Sequence, residues 1–469
     1  MPPPPRCPGS AHTICDQGAV VERLDHAIGH GSPGLCHREM RYGGLRYETD
    51  EECAVTDSGE QLIYVRERRL PYETFDADNH MYENRDALTK FLPADYKAAI
   101  RYVEVDGRVK LAIRDHISEY IPNPTFAKVA VPGGWGGTAE NRGQAQVGAH
   151  TGVKPRVMPS PDAFFDPEPR YALMKDMGID RTLLWPTLAS VLEERVSDDP
   201  DLAVIIIHAL NEWMHEHWSF VYSDAIYSTP IISLAAGVDT ALEELAFVHD
   251  RGAKIFLIRN APVPTWKGRK SFALPEFDPF WEEVQRRDIV VGMHSGDPGY
   301  QRFVNEWEGI PTEMLPFKST GSPAFQAMMS QRSVVDDGMA SVIGHGLATR
   351  FPKLRFMPVE YNATWIRPFI QRIQRAYERS SVLFDEDPFE VFKRNVYVHI
   401  FHEPDPKGLL DLGLPANRLM FGSDFPHPEG LGDPLAYSDV VEPLTEEDQK
   451  LIMGGTLARA MKVGNYAEA

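Results

Sequence analysis

Four short stretches of the sequence end apolar runs with side chains able to hold a metal ion or move a proton. "FDADNH" supplies Asp78 and His80, "IVVGMHSGD" His294, "LRFMPVEYNATW" Glu360, and "LMFGSDFPHP" Asp424. Asp78 and His80 stand two apart, and in a strand such residues project to one face. A carboxylate and an imidazole placed together suit a divalent ion such as zinc or manganese. Singly, each has a plainer reading, Asp78 as a cap or turn residue and His294 as a hydrogen-bonded core histidine. Their joint recurrence where apolar runs end points to one site. His215 and His217 in "MHEHW" are also two apart. Their surroundings, "LNEWMHEHWSF", read as a helix, where i and i+2 diverge, so they form no chelating pair.

Competing chemistries find little support. The chain carries no G-x-S-x-G nucleophile elbow, no G-x-x-x-x-G-K-[ST] loop and no G-x-G-x-x-G between a strand and a helix. "GGWGG" lacks the lysine and the helix that cradle phosphates. All four cysteines, Cys7, Cys15, Cys36 and Cys53, lie near the start at spacings that match no zinc finger. They read as incidental thiols.

The elements that must position these residues follow a regular beat. From Phe75 onward, short apolar runs at 74–80, 182–185, 230–234, 253–258, 289–294, 354–360, 396–401 and 418–423 alternate with amphipathic stretches. "VDTALEELAFVHDRG" (238–252) and "FDPFWEEVQRRD" (277–288) are two helical examples. Strands that alternate with helices pair in parallel, and eight such units close most naturally into a barrel. The expectation is an α/β fold, a distorted (β/α)8 TIM barrel over residues 69–469 with insertions at about 84–170 and 297–340. The Gly-rich part of the first, 131–152, reads as a mobile loop, and the second as partly helical. Residues 1–68 are Pro-rich, then mixed and polar, and read as a partly disordered N-terminal extension with a few ordered turns. Met40 is a candidate alternative start.

Bulk properties narrow the partners. A formal net charge of −20 argues against nucleic-acid or anionic-membrane surfaces, which need clustered lysine and arginine. Hydrophobic content of 43% and charged content of 25% are ordinary for a globular protein. No apolar run approaches the roughly 18 residues of a membrane helix, and "LAVIIIHAL" at 202–210 contains a histidine. The start, "MPPPPRCPGS", lacks a secretory pattern, so the expectation is a cytoplasmic protein acting on a small molecule.

On "FDADNHMYEN", "RFPKLRFMPVEYNATWI" and "RLMFGSDFPHPEG", the chain resembles the amidohydrolase-related family over about residues 70–460. The similar branch includes aminocarboxymuconate semialdehyde decarboxylase and the non-oxidative benzoate decarboxylases. The resemblance implies a distorted (β/α)8 barrel with one divalent metal ion at the C-terminal strand ends. Its ligands would fall on Asp78, His80, His294 and Asp424, and a homodimer is common among relatives. Two departures stand out. Asp78 occupies the first position of what is H-x-H in many members, which favours a harder ion, so manganese or iron stand beside zinc. Glu360 stands where similar decarboxylases carry a histidine after strand six. The binuclear branch uses a lysine at the end of strand four, whereas here Lys254 begins that run and Arg259 ends it.

The resulting expectation is a metal-dependent hydrolase. Asp424 accepts a proton from water as it attacks a carbonyl, His294 helps hold the ion, and Glu360 orients water or shuttles the proton. Non-oxidative decarboxylation of an aromatic or unsaturated acid is the alternative, with Asp424 delivering a proton to carbon. A barrel that only binds a ligand is the third reading. Arg259, Trp185, Trp365 and His427 are candidate substrate contacts, with a rim salt bridge for Arg259, core packing for the tryptophans and a structural role for His427 as the competing readings.

Overall fold

Phe75–Met81 (β1) is buried at every position although four of its seven residues, FDADNHM, are polar. A strand that sinks two aspartates, an asparagine and a histidine out of water must find each a partner. The architecture around β1 supplies most of them. The computed structural model describes residues 70–467 except 119–120, 122, 135–155, 311–321, 330–333 and 401–402, with the backbone of four short strands before residue 70.

Seven more segments follow β1 in the core: Arg181–Pro186 (β2), Ile226–Ser228 (β3), Ile255–Leu257 (β4), Val290–His294 (β5), Phe356–Val359 (β6), Val398–His399 (β7) and Leu419–Met420 (β8). Regular pairing is parallel and in sequence order within three groups. β1 pairs with β2 and β2 with β3; β4 pairs with β5 and β5 with β6; β7 pairs with β8. Single parallel bridges continue the order between groups, at Ile231 with Leu257, Phe356 with Val396 and Asn79 with Phe425. The segment after β8 bonds back to β1 through Ala77 N to Phe421 O at 2.9 Å and His80 N to Phe425 O at 2.8 Å. The expected third strand is displaced: its regular part is Ile226–Ser228, and 230–234 contributes only the bridge at Ile231. The prolyl ring of Pro230 removes a ladder donor at that point.

Helices fill the intervals. Pro200–Trp218 starts with Asp199 accepting the Leu202 amide at 3.1 Å and Pro200 in the first turn, a favourable helix start. Its buried face includes Ile206, Ile207, Leu210, Trp213 and Met214. Val238–Asp250 and Asp278–Arg287 occupy the two stretches with expected helical periodicity. Trp185, Trp213, Trp218 and Trp281 are all fully buried. Each removes about 200 Å² from water, about 5 kcal/mol by area.

The insertions differ. Between β1 and β2, Ile100–Val105, Arg108–Ile113 and His116–Ser118 make a three-stranded antiparallel sheet. Most of the Gly-rich loop expected at 131–152 lies outside the described residues. Between β5 and β6, Gln301–Glu308, Pro323–Met329 and Val335–Gly344 are helices, in keeping with the partly helical expectation. Before residue 70 the described backbone is strand rather than turn: Cys36–Tyr42 pairs with Leu45–Glu51, and Ala54–Val55 with Gln61–Ile63. Among the described residues, no helix is long and apolar enough to cross a membrane.

Candidate metal centre

At the ends of β1, β5 and β8, Asp78, His80, His294 and Asp424 converge and are buried. Asp78 Oδ1 lies 3.2 Å from His294 Nε2 and 3.4 Å from His80 Nε2. His80 Nε2 is also 3.3 Å from Asp424 Oδ1. Gly422 makes this approach feasible, because a Cβ there would sit 2.5 Å from His399 Nε2 and 2.7 Å from Asp78 Cβ.

The outer nitrogens of both rings fix what the inner ones can do. His294 Nδ1 donates to the Ser295 carbonyl at 2.8 Å. In a neutral ring, Nε2 is then a bare lone pair, and it faces a carboxylate oxygen. His80 repeats the arrangement. Thr187 Oγ1 donates to Met81 O at 2.8 Å and lies 3.4 Å from His80 Nδ1, whose proton it can accept, leaving His80 Nε2 unprotonated toward Asp78 and Asp424. Lone pair facing lone pair is repulsive unless a cation lies between them. His80 Nε2, Asp78 Oδ2 and Asp424 Oδ2 are buried and lack a hydrogen-bond partner among the described residues. Two carboxylates and two imidazoles, each imidazole oriented by a backbone-anchored partner, match the donor set of a divalent metal.

Charge states express the same crowding. Burial, with the Asp78 charge adding to it, pushes the Asp424 carboxyl well above the ordinary carboxylate range. Glu360 is pushed well up by burial and then by Asp424. Burial also works against ionised Asp78, yet the His294 and His80 rings beside it hold it well below its usual range. For His80, burial and then His427 lower the pKa. For His294, burial is outweighed by Glu360 and Asp78, and the pKa rises.

Two carboxylates enter through unusual backbone. Glu360 (φ 64°) and Asp424 (φ 57°) both adopt the left-handed conformation. For a non-glycine residue this costs of the order of 1 kcal/mol, and such strain clusters at functional sites. Glu360 Oε2 lies 3.4 Å from His294 Nδ1, and its backbone N–H donates to His399 Nδ1 at 3.0 Å. His427 Nδ1 donates to Asp424 Oδ1 at 2.7 Å, and its ring lies 4.0 Å from that of His80. Glu360, Asp424, His427 and Glu429 form a second group with converging ligand atoms.

The remaining sequence candidates separate. Arg259 ends the β4 segment and lines a cleft with His294 and Tyr361, but its guanidinium is also ion-paired to Glu194. Trp185 is fully buried; its Nε1 donates to Ala77 O at 2.9 Å and its ring lies 4.9 Å from that of His294. It supports the histidine from below, which corrects its assignment as a substrate contact. Gly292 leaves room for that ring, since a Cβ there would be 2.5 Å from it. Trp365 is corrected too: at the start of Ile366–Ser380, its ring packs edge-on against Phe369 and Phe392 in the helical layer. His427 reaches the centre through Asp424. His217 instead meets Asp166 at 3.0 Å and stacks on Trp213, apart from His215, which packs near Phe220. Lys254 is exposed at the opposite end of its strand from Arg259.

Sequence reasoning missed His399 at the end of β7, buried with Nδ1 3.6 Å from Asp78 Oδ2. The signal was present, a histidine closing an apolar run. It also missed Tyr361, whose hydroxyl donates to the His294 carbonyl at 2.9 Å.

Comparison with known proteins bears on the family and the fold. An amidohydrolase from Mycobacterium avium subsp. paratuberculosis is 31% identical, superposes with a TM-score of 0.75, and is matched over 84% of this chain and 100% of its own. A dihydroxybenzoic acid decarboxylase from Polaromonas, solved with bound manganese, is 15% identical with a TM-score of 0.51 over 83% of this chain and 97% of its own. The 5-carboxyvanillate decarboxylase of Sphingomonas paucimobilis is 13% identical with a TM-score of 0.51 over 84% and 100%. At those identities the two decarboxylases show a shared fold alone. Comparison with curated proteins returns no match. The family profile described as amidohydrolase spans residues 116–461, most of the chain and two of the three strand ends that build the centre. With that match and the mycobacterial relative, the chain belongs to the amidohydrolase family.

Proposed function

We propose that this amidohydrolase-family chain is a mononuclear metal-dependent hydrolase acting on a carbonyl-type bond, an amide, ester, lactone or thioester, of a small organic molecule. The observation that carries the metal reading is the crowding of two imidazole Nε2 atoms against buried carboxylate oxygens, with His80 Nε2, Asp78 Oδ2 and Asp424 Oδ2 left without a hydrogen-bond partner among the described residues. Asp78, His80, His294 and Asp424 would hold the ion, with zinc, manganese and iron as candidates. When bound, a divalent ion supplies a more acidic water and polarises the substrate carbonyl.

The protein's own groups supply the proton movements. Asp424, hydrogen-bonded to His427, accepts a proton as water attacks, and His427 stabilises the carboxylate in its ionised form. Glu360, whose burial beside Asp424 favours the protonated form, carries a proton toward the leaving group. An acid and a base of this kind with converging carboxylates beside the centre favour hydrolysis. Trp185 and Tyr361 hold the His294 ring and backbone in register. The parallel segments are read here as the wall of a distorted (β/α)8 barrel. Residues 69–469 then form one catalytic unit, residues 1–68 an extension, and the working assembly is a cytoplasmic homodimer.

Non-oxidative decarboxylation is the second reading. Its support is the shared fold with decarboxylases of hydroxylated benzoates and the same Asp424, placed to deliver its proton to carbon. Elemental analysis tests the common part: near one divalent ion per chain in the wild type, and less than about a tenth of that in His294→Ala, are expected. A wild type that stays metal-free after incubation with zinc, manganese and iron would overturn both readings. With the loaded protein, acid release from esters, lactones, thioesters and amides supports hydrolysis. Carbon dioxide release from hydroxybenzoates, with none of those substrates turned over, supports the second.

A further inference from the structure

The cleft beside His294 is lined by a single arginine, Arg259, together with Glu193 and Asp297, in a chain whose net charge is −20. Glu194, at the cleft's edge and with its side chain 1% exposed, gathers three arginines. Arg259 pairs with its Oε2, Arg269 reaches both oxygens at 3.0 Å, and Arg302 reaches Oε1 at 2.6 Å and 3.0 Å. Beside them Arg195 pairs with Asp297 at 3.0 Å. Four guanidinium groups thus gather on Glu194 and Asp297 next to the cleft. Glu193 hydrogen-bonds Ser233, and burial raises its pKa.

Within the cluster, Arg259 has one unused hand. Its Nε donates to the Asp297 carbonyl at 3.1 Å and its Nη2 to Glu194. Its Nη1 is buried and has no hydrogen-bond partner among the described residues. A buried guanidinium N–H left without an acceptor costs free energy that an incoming anion recovers. Arg269 and Arg302 already neutralise Glu194, so the charge on Arg259 is not consumed by its own ion pair. Ile207, Ile231 and Leu257 add an apolar part to the wall.

We propose that this cleft is an anion subsite: the substrate carries a carboxylate remote from the bond that reacts, and Arg259 Nη1 anchors it while the other end meets the Asp78, His80, His294 and Asp424 centre. The inference rests on the hydrolase or decarboxylase reading for what happens at that other end; the subsite itself needs no metal. A carboxylate fits better than a phosphate because only one nitrogen of Arg259 is open and two acidic residues, Glu193 and Asp297, share the wall. Arg259 is therefore the specificity-determining residue, and Glu194 its positioning residue.

Benzoate and its neutral isostere benzamide test the subsite by titration calorimetry on the full-length protein, both metal-loaded and after chelator treatment. Benzoate should bind at least about ten-fold tighter than benzamide in both forms, with the preference weakening as salt rises. Arg259→Gln should abolish the preference and Arg259→Lys should keep part of it, with melting curves checking the fold of each. Equal binding of the two probes to the wild type overturns the proposal without reference to any variant. Benzoate binding that survives Arg259→Gln but vanishes on metal removal places the carboxylate on the ion and also overturns it. Tighter binding of phenyl phosphate than of benzoate overturns the carboxylate assignment. Should the loaded protein turn over nothing while benzoate keeps its Arg259-dependent advantage in the chelated form, the catalytic reading fails and the subsite stands.

Discussion

Two layers of buried polar residues share strand β1, and they solve the same electrostatic problem in opposite ways. In the rear layer, Asp76 accepts from the amides of Asp78 and Ser423 at 3.0 Å and 2.9 Å, from the Ser423 hydroxyl, and from Asn79 Nδ2 at 2.7 Å. Arg170, fully buried, completes it by donating to Asn79 Oδ1, His80 O and Ala163 O, each at 2.6 Å. The front layer, Asp78, His80, His294 and Asp424, leaves three of its ligand atoms unpartnered among the described residues and turns lone pairs toward one another. A satisfied buried network is what a fold uses to fix strand register. An unsatisfied one with clustered negative charge is what a fold tolerates when a cation completes it. The contrast lets structure and function be assigned to residues only one or two positions apart.

Disrupting the rear layer should have the larger effect on stability. Arg170→Met leaves Asn79 Oδ1 and two backbone carbonyls without their donor and removes the cation nearest Asp76, whose pKa burial has pushed up to about 7. The expected loss is about 4 kcal/mol, in the range for removing one partner of a buried charged network. Urea unfolding measures it. A loss below about 1 kcal/mol would mean that the rear layer is decoration and the contrast between the layers is wrong.

The sequence made the front layer readable and hid the rear one. Asp78, His80, His294, Glu360 and Asp424 each close an apolar run, so strand periodicity alone brought them together. His427 follows Asp424 by three residues, and only the left-handed turn at Asp424 and the backbone after it decide that the two side chains meet. Arg170 lies on Pro167–Asp176, where local pattern suggests an ordinary surface arginine. Its burial depends on Asn79, ninety-one positions away in the chain. The same holds for Trp365 and Trp185: composition marks them as aromatic near a mouth, but which neighbour a ring meets is set by packing between distant segments. The third strand shifted because pairing partners, which sequence does not reveal, outweighed the apolar run at 230–234.

A third buried acid sharpens the comparison because it is satisfied by hydrogen bonds yet has no cation. Glu83 accepts the amides of Leu188 at 2.9 Å and Ala189 at 3.1 Å, and burial raises its pKa to about 7 from an ordinary 4.5. Between those values the folded protein holds a proton that the unfolded chain has released, so stability falls as pH rises through this window and is level above it. The slope is about 1.4 kcal/mol per pH unit, about 3 kcal/mol in all. Glu83→Gln should remove this slope, so that wild type and variant diverge from pH 4.5 to pH 7 in denaturant titrations. Parallel curves would show that hydrogen bonds alone keep Glu83 ionised and that satisfaction, not charge, is what separates the layers.

The smallest effect is the one whose sign carries the most information. Asp424 has its pKa pushed well up by burial and by Asp78, so the metal-free protein must hold a proton there that the unfolded chain releases above the ordinary carboxylate range. Asn in that position removes the requirement while keeping the shape. Metal-free Asp424→Asn should therefore be more stable than wild type at neutral pH by about 1–2 kcal/mol, the usual size of a gain at a site kept unstable for function. Below the ordinary carboxylate pKa both states are protonated, and the gain should disappear. With the divalent ion present the sign should reverse, because wild type then gains the free energy of binding to the folded state and the variant loses a ligand. Melting curves at pH 7 and at pH 3.5, with and without chelator, read all of these signs. A variant that is less stable than wild type in the metal-free form at pH 7 would put Asp424 in the rear layer's class, a carboxylate kept for structure, and would leave the front layer without its base.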